Sequence, residues 1–264
     1  MSQNDLEKNA QLKIAYSNWL DELRNKEPNL LSDAFSNPYY ACIPKGWSDS
    51  EVRILIVGEE GFGLWGRGRE DGVMPDDIES IQTFCWSSLA SYLNQELEYE
   101  LYPLAYHFQY RHSPFWSRAR KLFERGVCAW TNIDLIHYRS DENGKCVLSD
   151  IDRARLHSLD SRILAETIDI MQPTHVVFSG WYGISLKHEL PEVFQELYPN
   201  DLGDDSRWKK NVVTVPYKGI YYIFSYHPNW GIRQKNYEKR VLSELDCTIG
   251  QRIDRLDLGE SNEL

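Results

Sequence analysis

Five short apolar runs constrain the fold of this chain more than any other feature. They lie at residues 52–57 (VRILIV), 127–131 (VCAWT), 175–179 (HVVFS), 212–215 (VVTV) and 220–224 (IYYIF). Segments of helical character surround them, at 4–26, 77–94, 115–125, 150–171 and about 234–246. In the first of these, Leu12, Ala15, Trp19 and Leu23 recur at helical spacing. Gly126 closes the third, and the fourth starts at a Ser149 or Asp150 cap and stops before Pro173. Short apolar strands alternating with helices predict a mostly parallel sheet covered on both faces.

The expected architecture is α/β, a three-layer α/β/α sandwich with a mostly parallel central sheet, over residues 51–250. Residues 1–50 read as an N-terminal helical extension packed on it, and 251–264 as a polar C-terminal tail. A chain of 264 residues with 42% in the hydrophobic class can fill one large core.

Several function classes are set aside by composition. The formal net charge of −11 argues against a large nonspecific nucleic-acid footprint, though it leaves room for a local basic patch. No apolar run approaches a membrane span, and the polar, acid-bearing start MSQNDLEKNAQLK reads as neither a secretory signal nor a transit peptide. The expectation is a cytoplasmic monomer with no membrane partner. The cysteines (Cys42, Cys85, Cys128, Cys146, Cys247) include no C-x-x-C pair, so no metal site, iron–sulfur cluster or disulfide framework is expected. Cys128, inside an apolar run, reads as a small core residue. No cofactor is called for.

In an open α/β sheet, ligands bind beyond the carboxyl ends of the strands. That rule singles out Gly58–Gly61, Asn132, Gly180 and His227. The first loop, Gly58-Glu59-Glu60-Gly61-Phe62-Gly63, offers carboxylates on a glycine-rich turn. It does not match G-x-G-x-x-G and lacks the lysine of a P-loop, and two acids would repel a phosphate. The second, Ser225-Tyr226-His227-Pro228-Asn229, offers an imidazole restrained by a proline. Asn132 follows the strand that ends in Trp130-Thr131, and its amide has both a donor and an acceptor. Each has a plainer reading: solvated turn acids, a structural histidine, a loop-capping asparagine. Together, a carboxylate and an imidazole facing one substrate suggest bond-breaking chemistry.

The ordered set of motifs resembles the uracil-DNA glycosylase superfamily over roughly residues 50–245. Gly58-Glu59-Glu60-Gly61 resembles its first motif, a G-Q-D-P-Y or G-E-x-P-G string after the first strand. Phe115-Trp116, Leu122, Gly126 and Trp130-Thr131-Asn132 resemble its helix, second strand and base-reading asparagine. The run from Gln172 to Gly180 is similar to its central P-x-x-V-V-x-x-G strand, and Ser225-Tyr226-His227-Pro228-Asn229 to its closing H-P-S loop. Gly61 stands where the first motif usually has proline. Ile133-Asp134-Leu135 follows the asparagine in place of lysine-cysteine, and the cluster cysteines are missing. The resemblance therefore implies a divergent, cluster-free member acting on a modified base.

It also implies roles. Glu60, or Glu59, would stabilise the sugar cation and orient water, and His227 would donate to the departing base. Asn132 would read the flipped base and Phe62, or Trp65, would stack on it, with Gly58, Gly61, Gly180, Pro228 and Asn229 shaping the pocket. Trp230 would wedge into the stack. Arg233, Lys235 and Lys239, with Arg240 and also Arg67 and Arg69, would meet DNA phosphates. The expected activity is hydrolysis of an N-glycosidic bond in DNA, in repair or in defence against modified foreign DNA. A noncatalytic reader of modified DNA and a hydrolase of nucleosides or other small molecules are the alternatives.

Overall fold

The computed structural model describes residues 1–29, 40–60, 114–136, 149–180, 212–226, 228 and 236–257. Within them, α1 is Gln3–Lys26, β1 Arg53–Glu60, α2 Pro114–Phe123, β2 Val127–Asp134 and α3 Asp150–Met171. β3 is His175–Ser179, β4 Val213–Tyr217, β5 Ile220–Ser225 and α4 Tyr237–Asp257. The helix expected over 77–94 lies outside the described residues.

The strands form one five-stranded sheet in the order β2-β1-β3-β5-β4. The pairs β1–β2, β1–β3 and β3–β5 are parallel, and β4–β5 is antiparallel. The sheet is thus mixed, parallel at its centre with an antiparallel edge. The edge is a hairpin: Lys218 and Gly219 both take positive φ (47° and 76°), as a tight two-residue turn requires. Pro216 is tolerated on β4 because that strand lies at the sheet's edge.

Helices cover both faces. Leu55, Val57, Ala129, Val176, Phe178 and Phe224 join a core with α1 and α3. Ile54, Ile56, Cys128, Trp130, Val177 and Ile223 join a second core with α2 and α4. All five residues of β3 are buried, as a strand covered on both sides must be. The chain crosses from β1 to β2 on one side, then back over β1 to β3. Right-handed connections running in opposite directions put their helices on opposite faces, where α2 and α3 are found. Cys128 is a buried free thiol, and burial pushes its pKa up, in keeping with a core residue.

α1 does not stand apart from this core. Its Leu12, Tyr16, Trp19 and Leu23 belong to the α3-side cluster, Trp19 Nε1 donates to the buried Asp160 Oδ1 at 3.1 Å, and Lys8 Nζ donates to Ile170 O at 2.7 Å. α3 begins at Ser149, whose hydroxyl accepts from Asp152 N, and ends at Gln172 in the left-handed conformation just before Pro173.

Three elements depart from the sequence expectation by three residues or more at one end or both. β1 continues through Gly58, Glu59 and Glu60, which read as loop. β2 continues through Asn132 to Asp134, so the asparagine lies inside the strand rather than after it. The two extensions pair with each other, Gly58 with Asn132 and Glu60 with Asp134. The ladder satisfies backbone groups that a turn would leave to solvent, which outweighs the local preference of glycine and acids for turns. The last helix, expected over 234–246, covers Tyr237–Asp257 and runs into the segment read as tail. Among the described residues no helix is long and apolar enough to cross a membrane.

Candidate functional site

Four residues form one register row across the carboxyl edge of the parallel strands. Asn132 pairs with Gly58, Gly58 with Ser179, and Ser179 with Ser225. Each lies two positions beyond a residue of the core under α2 and α4 (Trp130, Ile56, Val177 and Ile223), so strand alternation puts all four on that face. The connection leaving β1 runs to β2, whereas the chain beyond β3 leads to β5 on the opposite side. The carboxyl edge between β1 and β3 is therefore the topological switch point, where α/β sheets hold their ligands.

On the β1–β2 side the row carries an amide. Asn132 is 2% exposed, and its Oδ1 accepts from Trp130 Nε1 at 3.1 Å. An indole nitrogen can only donate, so the atom facing it must be the amide oxygen. The other end, Nδ2, is buried and meets no hydrogen-bond partner among the described residues. Gly58 makes room for this arrangement. A Cβ there would collide with Asn132 Oδ1 and touch the Phe115 ring at 3.5 Å. A buried amide donor held in a fixed direction without a partner is costly unless a ligand satisfies it.

On the β3–β5 side the row carries a buried cation. Arg118 of α2 is 1% exposed. Its Nη1 donates to Ser179 Oγ at 3.2 Å, Ser225 Oγ at 2.8 Å and the Tyr226 carbonyl at 2.9 Å. Its Nε and Nη2 grip the Glu238 carboxylate of α4 at 2.9–3.1 Å, a bidentate pair. The Ser225 hydroxyl donates to Phe178 O at 2.7 Å, so its lone pairs are oriented to accept from Arg118. The Tyr226 amide donates to the Tyr237 hydroxyl at 2.9 Å. Burial holds the Tyr237 phenol above its ordinary pKa, keeping it neutral. Both backbone groups of Tyr226, the residue just before His227, are therefore held by side chains from helices on one face.

Of the residues singled out from sequence, the structure brings Gly58 and Asn132 into contact. It places Gly180, buried, directly after Ser179. Pro228 is buried as well. Glu59 and Glu60 belong to β1 by their backbone, Glu60 in register with Asp134. Lys239 is exposed in the first turn of α4, and Arg240 lies over the Tyr237 ring at 5.8 Å from its centroid. Gly61, Phe62, Trp65, Arg67, Arg69, His227, Asn229, Trp230, Arg233 and Lys235 lie outside the described residues.

Arg118, Ser179, Ser225, Tyr237 and Glu238 were not anticipated. One signal for Arg118 is present in the sequence. Phe115, Ala119 and Leu122 mark the apolar face of α2 at i, i+4 and i+7, and Arg118 occupies the i+3 place on that same face. A cation there must be buried and paired.

His175 lies at the opposite edge, at the amino end of β3, stacked on Tyr221 with ring centroids 5.4 Å apart. Burial, and then the Arg252 and Arg53 charges, push its pKa down to about 3. It is a neutral core histidine remote from the row. Among the described residues no three His, Cys, Asp or Glu side chains gather to hold a metal ion. No protein-family model matches the chain, and no curated protein matches it.

Proposed function

We propose that this chain is a monofunctional DNA base glycosylase with the α/β/α layering of the uracil-DNA glycosylase superfamily, acting as a cytoplasmic monomer on a base flipped out of DNA. The observation that carries this reading is the buried Nδ2 of Asn132, which meets no partner among the described residues and is held over Gly58 at the switch point of the sheet. A donor so placed suits an acceptor on the edge of a flat heterocycle. The immobilised backbone at Tyr226 adds support, because it steadies the chain immediately before His227.

In this reading water adds to the sugar C1′ as the C1′–N bond breaks, the bonding pair leaves with the base, and the proton that the water loses ends on the departed base. Glu60, with Glu59 as the neighbouring candidate, orients the water and balances the cationic sugar. His227 donates to the base as it gains negative charge. Asn132 donates to a carbonyl oxygen of the base, and Phe62 stacks on its face. Gly61 and Asn229 complete the pocket wall. Trp230 enters the gap in the base stack, and Arg233, Lys235 and Lys239 contact phosphates.

The test is incubation of the intact chain with oligonucleotides that each carry one modified base, deaminated, alkylated or oxidised, followed by hot alkali to break the strand at abasic sites. Breaks at one class of base, lost in Asn132→Ala, are the expected result. An intact strand for every base, single- or double-stranded, overturns the reading.

A further inference from the structure

We propose that Tyr237 and Arg118 are positioning residues for His227. They hold both polar groups of the Tyr226 backbone, and through them the chain that carries the imidazole. The inference rests on the glycosylase reading and deepens it to the residues that aim its leaving-group donor.

β5 ends at Ser225, so the amide and carbonyl of Tyr226 lie past the end of the strand. Such groups ordinarily turn to water. Here two side chains from different helices take them. The Tyr226 N–H donates to the Tyr237 hydroxyl of α4 at 2.9 Å, and the Tyr226 carbonyl accepts from Arg118 Nη1 of α2 at 2.9 Å. The Tyr226 and Tyr237 rings meet edge-on, 6.4 Å between centroids and 75° between planes, in the core under α2 and α4. The N–H fixes the peptide plane before Tyr226 and the carbonyl fixes the plane after it, so both backbone torsions of Tyr226 are set.

That second plane is shared. A peptide unit is rigid, and the unit that contains the Tyr226 carbonyl also contains the nitrogen and Cα of residue 227. Holding the carbonyl therefore holds the point from which the His227 side chain departs. On the other side, Pro228 restricts the backbone of His227 and is itself buried. The two helices are tied together as well, since the same guanidinium grips the carboxylate of Glu238, next in sequence to Tyr237. A buried ion pair adds little net stability over apolar residues of the same volume, so its use here is better explained by the direction it gives the backbone. Arg118 and Tyr237 are each 1% exposed and act through Tyr226 and His227, without touching the base.

The experiment is a double-mutant cycle on single-turnover base release and DNA affinity, with the intact chain, Tyr237→Phe, His227→Ala and the double variant. Tyr237→Phe removes one hydroxyl and keeps the ring. It should slow release by roughly ten- to a hundredfold, the cost of a displaced reacting group, with affinity unchanged. In the His227→Ala background the same substitution should change the rate by less than about twofold, because no imidazole remains to be placed. Equal slowing in both backgrounds would make Tyr237 a packing residue and overturn the inference. Should Tyr237→Phe fail to fold, Arg118→Lys enters the same cycle, because an ammonium keeps the charge and cannot span Glu238 and the Tyr226 carbonyl as the planar fork does. In the intact chain the Tyr226 amide proton should exchange with solvent as slowly as those of β5, and exchange as fast as at an open strand end overturns the inference. No base released from any DNA overturns the glycosylase reading itself, and this deepening with it. Slow release in His227→Ala with a full rate in Tyr237→Phe overturns the positioning alone.

Discussion

Asn132 lies across the bare Cα of Gly58, its register partner on β1, so that a side chain at Gly58 would claim the space of the Asn132 carbonyl oxygen. The Gly58 backbone cannot yield easily, because β1 is paired on both sides.

Gly58→Ala is expected to displace the amide and break its bond to Trp130. Overpacking of this kind costs about 1–3 kcal/mol. If the chain is the glycosylase proposed above, base release should fall with it, because the Asn132 amide is displaced. Chemical denaturation and single-turnover cleavage check the two effects separately. Unchanged values in both would mean that the amide relaxes freely and is not held by Gly58.

Arg118→Met is expected to lower stability by about 3 kcal/mol, the low end for breaking a buried ion pair, because Glu238 keeps some contact with solvent. The Tyr226 carbonyl and two serine hydroxyls lose their shared donor at the same time. The double variant Arg118→Met, Glu238→Leu strands no charge and should regain part of that loss. Urea midpoints of the single and double variants decide it. A double variant no better than the single one would show that the serines and the carbonyl, rather than the ion pair, carry the cost.

His227→Ala is expected to slow single-turnover base release by roughly 100- to 1,000-fold, the cost of removing a donor aimed at developing negative charge. DNA affinity should hardly change, because such a donor acts in the transition state. The loss should shrink for bases that are already good leaving groups. Equal losses across leaving groups would contradict the role. Glu60→Gln, which keeps size and removes charge, should slow release by at least ~100-fold with binding intact. Full activity would move the role to Glu59 or out of this segment.

Stability should depend on pH through His175. Its folded pKa, near 3, lies below the ordinary 6.5 of the unfolded chain, chiefly through burial. Above pH ~6.5 neither state is protonated and its full contribution is present. As the pH falls from 6.5 toward 3, the unfolded chain takes up a proton that the folded one refuses. Stability is then lost at up to about 1.4 kcal/mol per pH unit. Urea midpoints between pH 4.5 and 6.5, above most carboxylate titrations, measure this. His175→Phe, which keeps the stacking on Tyr221, should flatten the slope over that window. The same slope in the variant would assign it to other groups.

Much of the secondary structure was legible because its causes are local. The apolar runs mark all five described strands, the Ser149 cap starts α3, and Gln172 before Pro173 ends it. The antiparallel edge escaped, although Lys218-Gly219 between two apolar runs is a short-range turn signal. Strand–helix alternation along the rest of the chain masks this single interval, which is too short for a crossover. Within the site, Gly58 and Asn132 were singled out from their strand-end positions, and the structure brings them together. Arg118 was passed over because one charged residue among the arginines and lysines of α2 looks like an ordinary solvated position.

The sequence by itself determined where the described strands and helices form, which apolar runs enter the core, and that Gly58 and Asn132 lie toward the carboxyl ends of their strands. Periodicity, caps and breakers act over a few residues, so a linear reading captures them. Only the tertiary structure decided that the order is β2-β1-β3-β5-β4, that Asn132, Gly58, Ser179 and Ser225 share one row, and that Arg118 ties two strand ends to α4. It also decided that the Asn132 amide shows its nitrogen end. Strand order and register are set by pairing and packing between segments tens of residues apart, where the close approach of one side chain to one bare Cα leaves no trace in either segment alone.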